Sequence, residues 1–67
     1  MEYTNTQIRD LIAEHIHSER DRGILARRLI DGVTFERLAE ETELSVSQVK
    51  RIIRKGSETI FRHLKMN

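Results

Sequence analysis

The stretch Thr34-Phe35-Glu36-Arg37-Leu38-Ala39-Glu40-Glu41-Thr42-Glu43-Leu44-Ser45-Val46-Ser47-Gln48-Val49-Lys50-Arg51-Ile52-Ile53-Arg54-Lys55 decides the reading of this chain. Thr34 is a helix N-cap residue, and Val33 and Leu38 stand at the two positions of a hydrophobic staple. Phe35, Leu38 and Ala39 then recur at helical spacing, which predicts a short helix with one inward face, stopping around Thr42. Glu36 suits the electropositive start of that helix. A tight turn, Thr42-Glu43-Leu44, leads to the clearest helix start in the chain. Ser45 caps it, Gln48 completes a capping box, and Leu44 and Val49 form the staple. Ala39 is small where two helices joined by so short a turn must nearly touch. Leu44 plugs the turn, and Val49 and Ile52 seat the second helix on the core. The expectation is a helix-turn-helix over about residues 34–55.

Working outward, the inward stripe of the last helix runs Val49, Ile52, Ile53, Gly56, Ile60 and Leu64. Gly56 falls on the buried stripe. This favours one long helix with a close helix crossing at Gly56; the alternative is a break, with Ser57 capping a fifth short helix. Upstream, Thr4 and Gln7 form a capping box, and Tyr3 and Ile8 a staple. Ile8, Leu11, Ile12 and Ile16 make one apolar stripe, so an N-terminal helix is expected over about residues 5–18. A second helix starts at Ser18 or Asp21, takes its register from Ile24, Leu25, Arg28 and Leu29, and stops at Gly32. Gly23 weakens its start. There is no proline and no alternation long enough for a strand. The chain is expected to be one all-α domain, residues 1–67, with four helices and a long C-terminal recognition helix.

At 67 residues the chain has no room for a dinucleotide fold, a barrel or a two-domain cleft. It has no cysteine, so neither a disulfide nor a thiolate zinc site contributes to stability. With 37% hydrophobic and 34% charged residues it is polar for a globular domain, but the regular spacing of the apolar residues argues against disorder. Residues 1–5 lack the basic and apolar regions of a signal peptide, and no apolar run approaches a membrane span. A cytoplasmic, nucleoid-associated setting with no membrane partner is the expectation.

The formal net charge of +1 conceals a division: residues 1–44 carry a net −4 and residues 45–67 a net +5. Basic faces segregated in this way are commonly offered to polyanions, although a solvated basic helix surface is the plainer reading. The side chains of the second helix raise the first reading. Ser47, Gln48, Lys50, Arg51, Arg54 and Lys55 lie on its outer side. Arginine can bind guanine edges bidentately, glutamine can do so for adenine, and lysine neutralises phosphate. In a helix-turn-helix the N-terminal residues of the second helix enter the major groove while the first helix lies across the backbone. The start of the short helix at Thr34 could meet a phosphate.

The run Asp31-Gly32-Val33-Thr34-Phe35-Glu36-Arg37-Leu38-Ala39-Glu40-Glu41, followed by Leu44-Ser45-Val46-Ser47-Gln48-Val49-Lys50-Arg51-Ile52, resembles the region 4 helix-turn-helix of bacterial sigma-70-type factors, over about residues 21–66. That region reads the −35 promoter element. The resemblance implies base reading by Val46, Ser47, Lys50 and Arg51, with Gln48 and Arg54 flanking; Gln48 is counted with the base-reading candidates. Thr34, Arg37, Ser45, Arg54 and Lys55 are the candidates for phosphate. No polymerase-binding or promoter-melting region accompanies the motif, so a stand-alone bacterial or phage regulator is expected, with residues 1–20 supplying an extra apolar helix. The same stretch resembles the LuxR/GerE-type effector domain, in which a separate dimerisation helix follows the recognition helix. A break at Gly56-Ser57 would fit that plan, with Ile60, Phe61 and Leu64 as the seam of a homodimer; otherwise these three complete a monomeric core.

Other signals are weaker. His15 and His17 are two apart on a helix and point to nearly opposite sides, so no metal is expected there. His63 near a helix C-terminus suits the dipole. Nothing forms a cleft for nucleophilic catalysis, there is no Gly-rich phosphate loop, and Tyr3, Phe35 and Phe61 are too sparse for an RNA-stacking platform. The expectation is a non-enzymatic, cofactor-free transcription regulator that binds double-stranded DNA. The alternatives are a module that docks on RNA polymerase or a partner chain, as half of a split sigma factor, and the DNA-binding component of a phage packaging or recombination complex.

Overall fold

The computed structural model describes residues 4–64. Within them lie four helices and no strand: α1 (Asn5–His15), α2 (Glu19–Leu29), α3 (Phe35–Thr42) and α4 (Val46–Leu64). Tyr3, the expected staple partner of Ile8, is outside the described residues. No helix among them is long and apolar enough to cross a membrane.

Each helix begins where a short polar side chain can take an orphan backbone N–H. Thr4 Oγ1 accepts from Gln7 N, and Gln7 Oε1 accepts from Thr4 N at 2.8 Å, closing the capping box. Ser18 Oγ accepts from Asp21 N, which selects Ser18 over Asp21 as the start of α2. It also ends α1 at His15, three residues short of the expected end. Ser18 cannot be helical in α1 while its extended backbone caps α2. Thr34 Oγ1 accepts from Arg37 N. Ser45 Oγ accepts from Gln48 N, and Gln48 Oε1 accepts from Ser45 N at 2.9 Å.

The turns are pinned from within. Gly32 turns the chain after α2 with φ +70, the left-handed region that glycine enters without a Cβ penalty. Glu43 makes the corresponding turn between α3 and α4 at φ 59, where a side chain carries a steric cost. Arg22 Nη1 clips the α1–α2 turn, donating to the carbonyls of Ile16 at 2.8 Å and His17 at 3.1 Å.

The core has two parts, joined through α2 and α4. Ile24, Leu38, Val49 and Ile53 pack together, flanked by Val33, Phe35, Ala39, Leu44 and Ile52. Ile12, Leu25 and Ile60 form the second part, flanked by Ile8, Leu11, Ile16, Leu29 and Leu64. Adjacent residues of α2, Ile24 and Leu25, thus serve different clusters. α4 runs unbroken past both, so the fifth-helix alternative does not occur. Gly56 is buried where α4 crosses α2, directly against Leu25.

Candidate nucleic-acid interface

The capped start of α4 fixes its rotation. Val49, Ile53, Gly56 and Ile60 face the core. Ser47, Arg51, Arg54 and Glu58, three and four residues apart, therefore form an outward line along the opposite side. Lys50 lies on the flank toward α3 and Lys55 on the other flank. Ser47, Lys50, Arg51, Arg54 and Lys55 are all exposed.

The arginine ion pairs gather around α2 and α3. Arg20 pairs with Asp21, Arg27 with Asp31 and Glu41, and Arg37 with Glu41. Among the described residues, Lys50, Arg51, Arg54 and Lys55 make no ion pair. Glu41 is drawn between two guanidinia: its hydrogen bond to Arg27 is the main reason its carboxyl is held below the usual carboxylate range, opposed by desolvation, with Arg37 adding to the effect. The same bond holds Arg27 above its ordinary value.

Several candidate residues are committed elsewhere. Gln48 is exposed, but its carbonyl oxygen is held by the Ser45 N–H in the capping box. Bidentate adenine recognition would use that same oxygen through its second lone pair, with the cap bond kept. Val46 is half-buried. Arg37 Nε donates to Glu41 Oε2 at 3.3 Å, so its charge is partly offset before any phosphate arrives. The hydroxyls of Thr34 and Ser45 are engaged as caps, leaving the first N–H groups of α3 and α4 beside them.

The geometry adds residues that sequence reading missed. Phe35 packs against the core edge, yet the Arg28 guanidinium lies over its ring at 4.3 Å and Lys50 Nζ at 5.6 Å. Arg28 Nη1 also donates to the Val33 carbonyl at 3.0 Å. A shallow cleft between α3 and α4 is lined by Phe35, Ser47, Lys50, Arg51 and Arg54. On the other flank a second cleft is lined by Arg20, Leu44, Gln48, Arg51 and Ile52. Arg51 stands at the edge of both. No local pattern connects Arg28 or Arg20 with α4, because the contacts depend on how α2 crosses it.

The seam expected of Ile60, Phe61 and Leu64 does not hold as a unit. Ile60 is fully buried against Ile12 and Leu25, and Leu64 packs on the same cluster; Phe61 is 45% exposed. Ile60 and Leu64 thus pack against α1 within the chain.

No protein-family model matches the chain, and neither a curated protein nor a solved structure is detectably similar to it.

Proposed function

We propose that this protein binds double-stranded DNA sequence-specifically as a transcription regulator, with the α3–turn–α4 unit acting as a helix-turn-helix and the outer line of α4 entering the major groove. The observation that carries this reading is the group of exposed cations on α4, Lys50, Arg51, Arg54 and Lys55, which make no ion pair among the described residues and share their helix with a single acid, Glu58. Solvated cations without ion pairs are free to meet phosphates and base edges.

Ser47 and Arg51 are the central base readers in this reading, with Lys50 and Arg54 beside them. Lys55 and the starts of α3 and α4 serve phosphates. Arg51 has the strongest case, since its place between two clefts lets the guanidinium reach a guanine edge on either side. Gln48 caps α4 and stands beside the readers with its amide N–H groups free of any protein partner among the described residues. The unbroken α4 supports the sigma-region-4 resemblance over the LuxR/GerE-type one. A setting with access to the chromosome belongs to the same proposal.

Selection from a randomised duplex pool tests it: the full chain is expected to enrich a short motif, and Arg51→Ala to change or lose it. Retention of the pool without enrichment contradicts specific reading. Failure to retain duplex at all contradicts DNA binding and favours the alternative class, a module that docks on a partner protein.

A further inference from the structure

The last turns of α1 and α4 meet through two imidazoles. The rings of His15 and His63 are stacked, with centroids 3.6 Å apart and planes 7° from parallel. They join the ends of helices that share only one of the two core clusters, that of Ile12, Leu25 and Ile60. The other cluster, which seats α3 and the first half of α4, contains no titratable side chain.

From this geometry we infer that the His15–His63 stack is an acid-sensitive clasp, closed while the pair carries at most one proton and opened when both rings are charged. Face-to-face imidazoliums at the observed separation would place two like charges in contact, with little water between them to screen the repulsion. Histidine is the side chain whose ordinary titration falls between pH 5 and 8. The charged group that the structure shows against the pair is Glu14 on α1, with a carboxylate oxygen 3.0 Å from His15 Nε2. One carboxylate cannot offset two imidazoliums. Opening would loosen the end of α1 from α4 while leaving the α2–α3–α4 cluster in place. The clasp does not depend on the DNA-binding reading.

The test is amide hydrogen exchange on the full chain at pH 7.5 and 5.5, corrected for intrinsic rates, for the wild type, His63→Phe and His63→Ala. The lower limit stays above the range in which carboxylates titrate. Wild-type protection in the last turns of α1 and α4 is expected to fall by about tenfold between the two pH values. His63→Phe keeps an aromatic face on His15 without a second titrating ring, and its protection should be the same at both. His63→Ala should resemble the acid form already at pH 7.5. Equal pH dependence in wild type and His63→Phe would overturn the inference. So would wild-type protection in His63→Ala at pH 7.5.

Discussion

Gly56 of α4 is packed so closely on Leu25 of α2 that a Cβ at position 56 would stand 2.7 Å from Leu25 Cδ2 and 3.0 Å from Cγ. Leu25 has no exposed surface and is locked in the cluster with Ile12 and Ile60, so it cannot swing aside freely. Gly56→Ala should therefore destabilise the protein by about 1–3 kcal/mol, the usual cost of overpacking, despite alanine's better helix propensity. Gly23 is the internal control: it lies inside α2, and an added Cβ would meet nothing within 4 Å. Gly23→Ala should stabilise by roughly 0.5–1 kcal/mol. Urea unfolding of the two variants should shift the midpoint in opposite directions.

Glu43 holds a left-handed backbone that most residues avoid. Glu43→Gly should relieve up to about 1 kcal/mol of strain, less the extra freedom that glycine gives the unfolded chain. A higher urea midpoint with an unchanged slope is expected; a clear loss of stability would mean that the Glu43 side chain holds the turn.

Glu41 joins α3 to α2 through Arg27 and pairs with Arg37 within α3. Its carboxyl is held below the ordinary value in the folded state. The stability it contributes is therefore complete above the unfolded carboxylate range and is lost as pH falls through the folded value. Glu41→Gln should remove that part of the acid-side slope and leave the profile above neutrality parallel to the wild type. Thermal midpoints from pH 7 down to pH 3 would show it. An unchanged acid slope would mean that the Arg27–Glu41–Arg37 network adds nothing in solution.

Glu58 is the single acid on the outer line of α4, one turn beyond Arg54. If that line faces DNA, Glu58 weakens attachment to any duplex by facing the phosphate backbone. Glu58→Lys should tighten binding to specific and scrambled duplexes alike and steepen the salt dependence. Equal affinities for wild type and variant would place Glu58 beyond the contact surface.

Much of the fold was legible because helix starts are local. Thr4 with Gln7, Thr34, and Ser45 with Gln48 each satisfy their bonds three residues away. The apolar stripes gave the inward faces, and Gly56 on a stripe signalled the crossing. What could not be read depends on partners far along the chain. The His15–His63 stack and the Arg28–Phe35 contact have no local signature. Gln48 teaches a different lesson: cap and base reader are both natural uses of that side chain, and the bond to Ser45 N shows that the cap is formed.

The central claim, specific DNA reading by the outer line of α4, is tested most directly by fluorescence anisotropy titrations across salt concentrations. The wild type, Arg51→Ala and Lys55→Ala would each be titrated with the enriched duplex and a scrambled one. The wild type should prefer the enriched duplex by at least about 10³-fold. Arg51→Ala should lose about 1–3 kcal/mol of that discrimination. Lys55→Ala should weaken both duplexes alike and reduce the salt slope by about one. Equal binding of the two duplexes by the wild type at every salt concentration would contradict the claim.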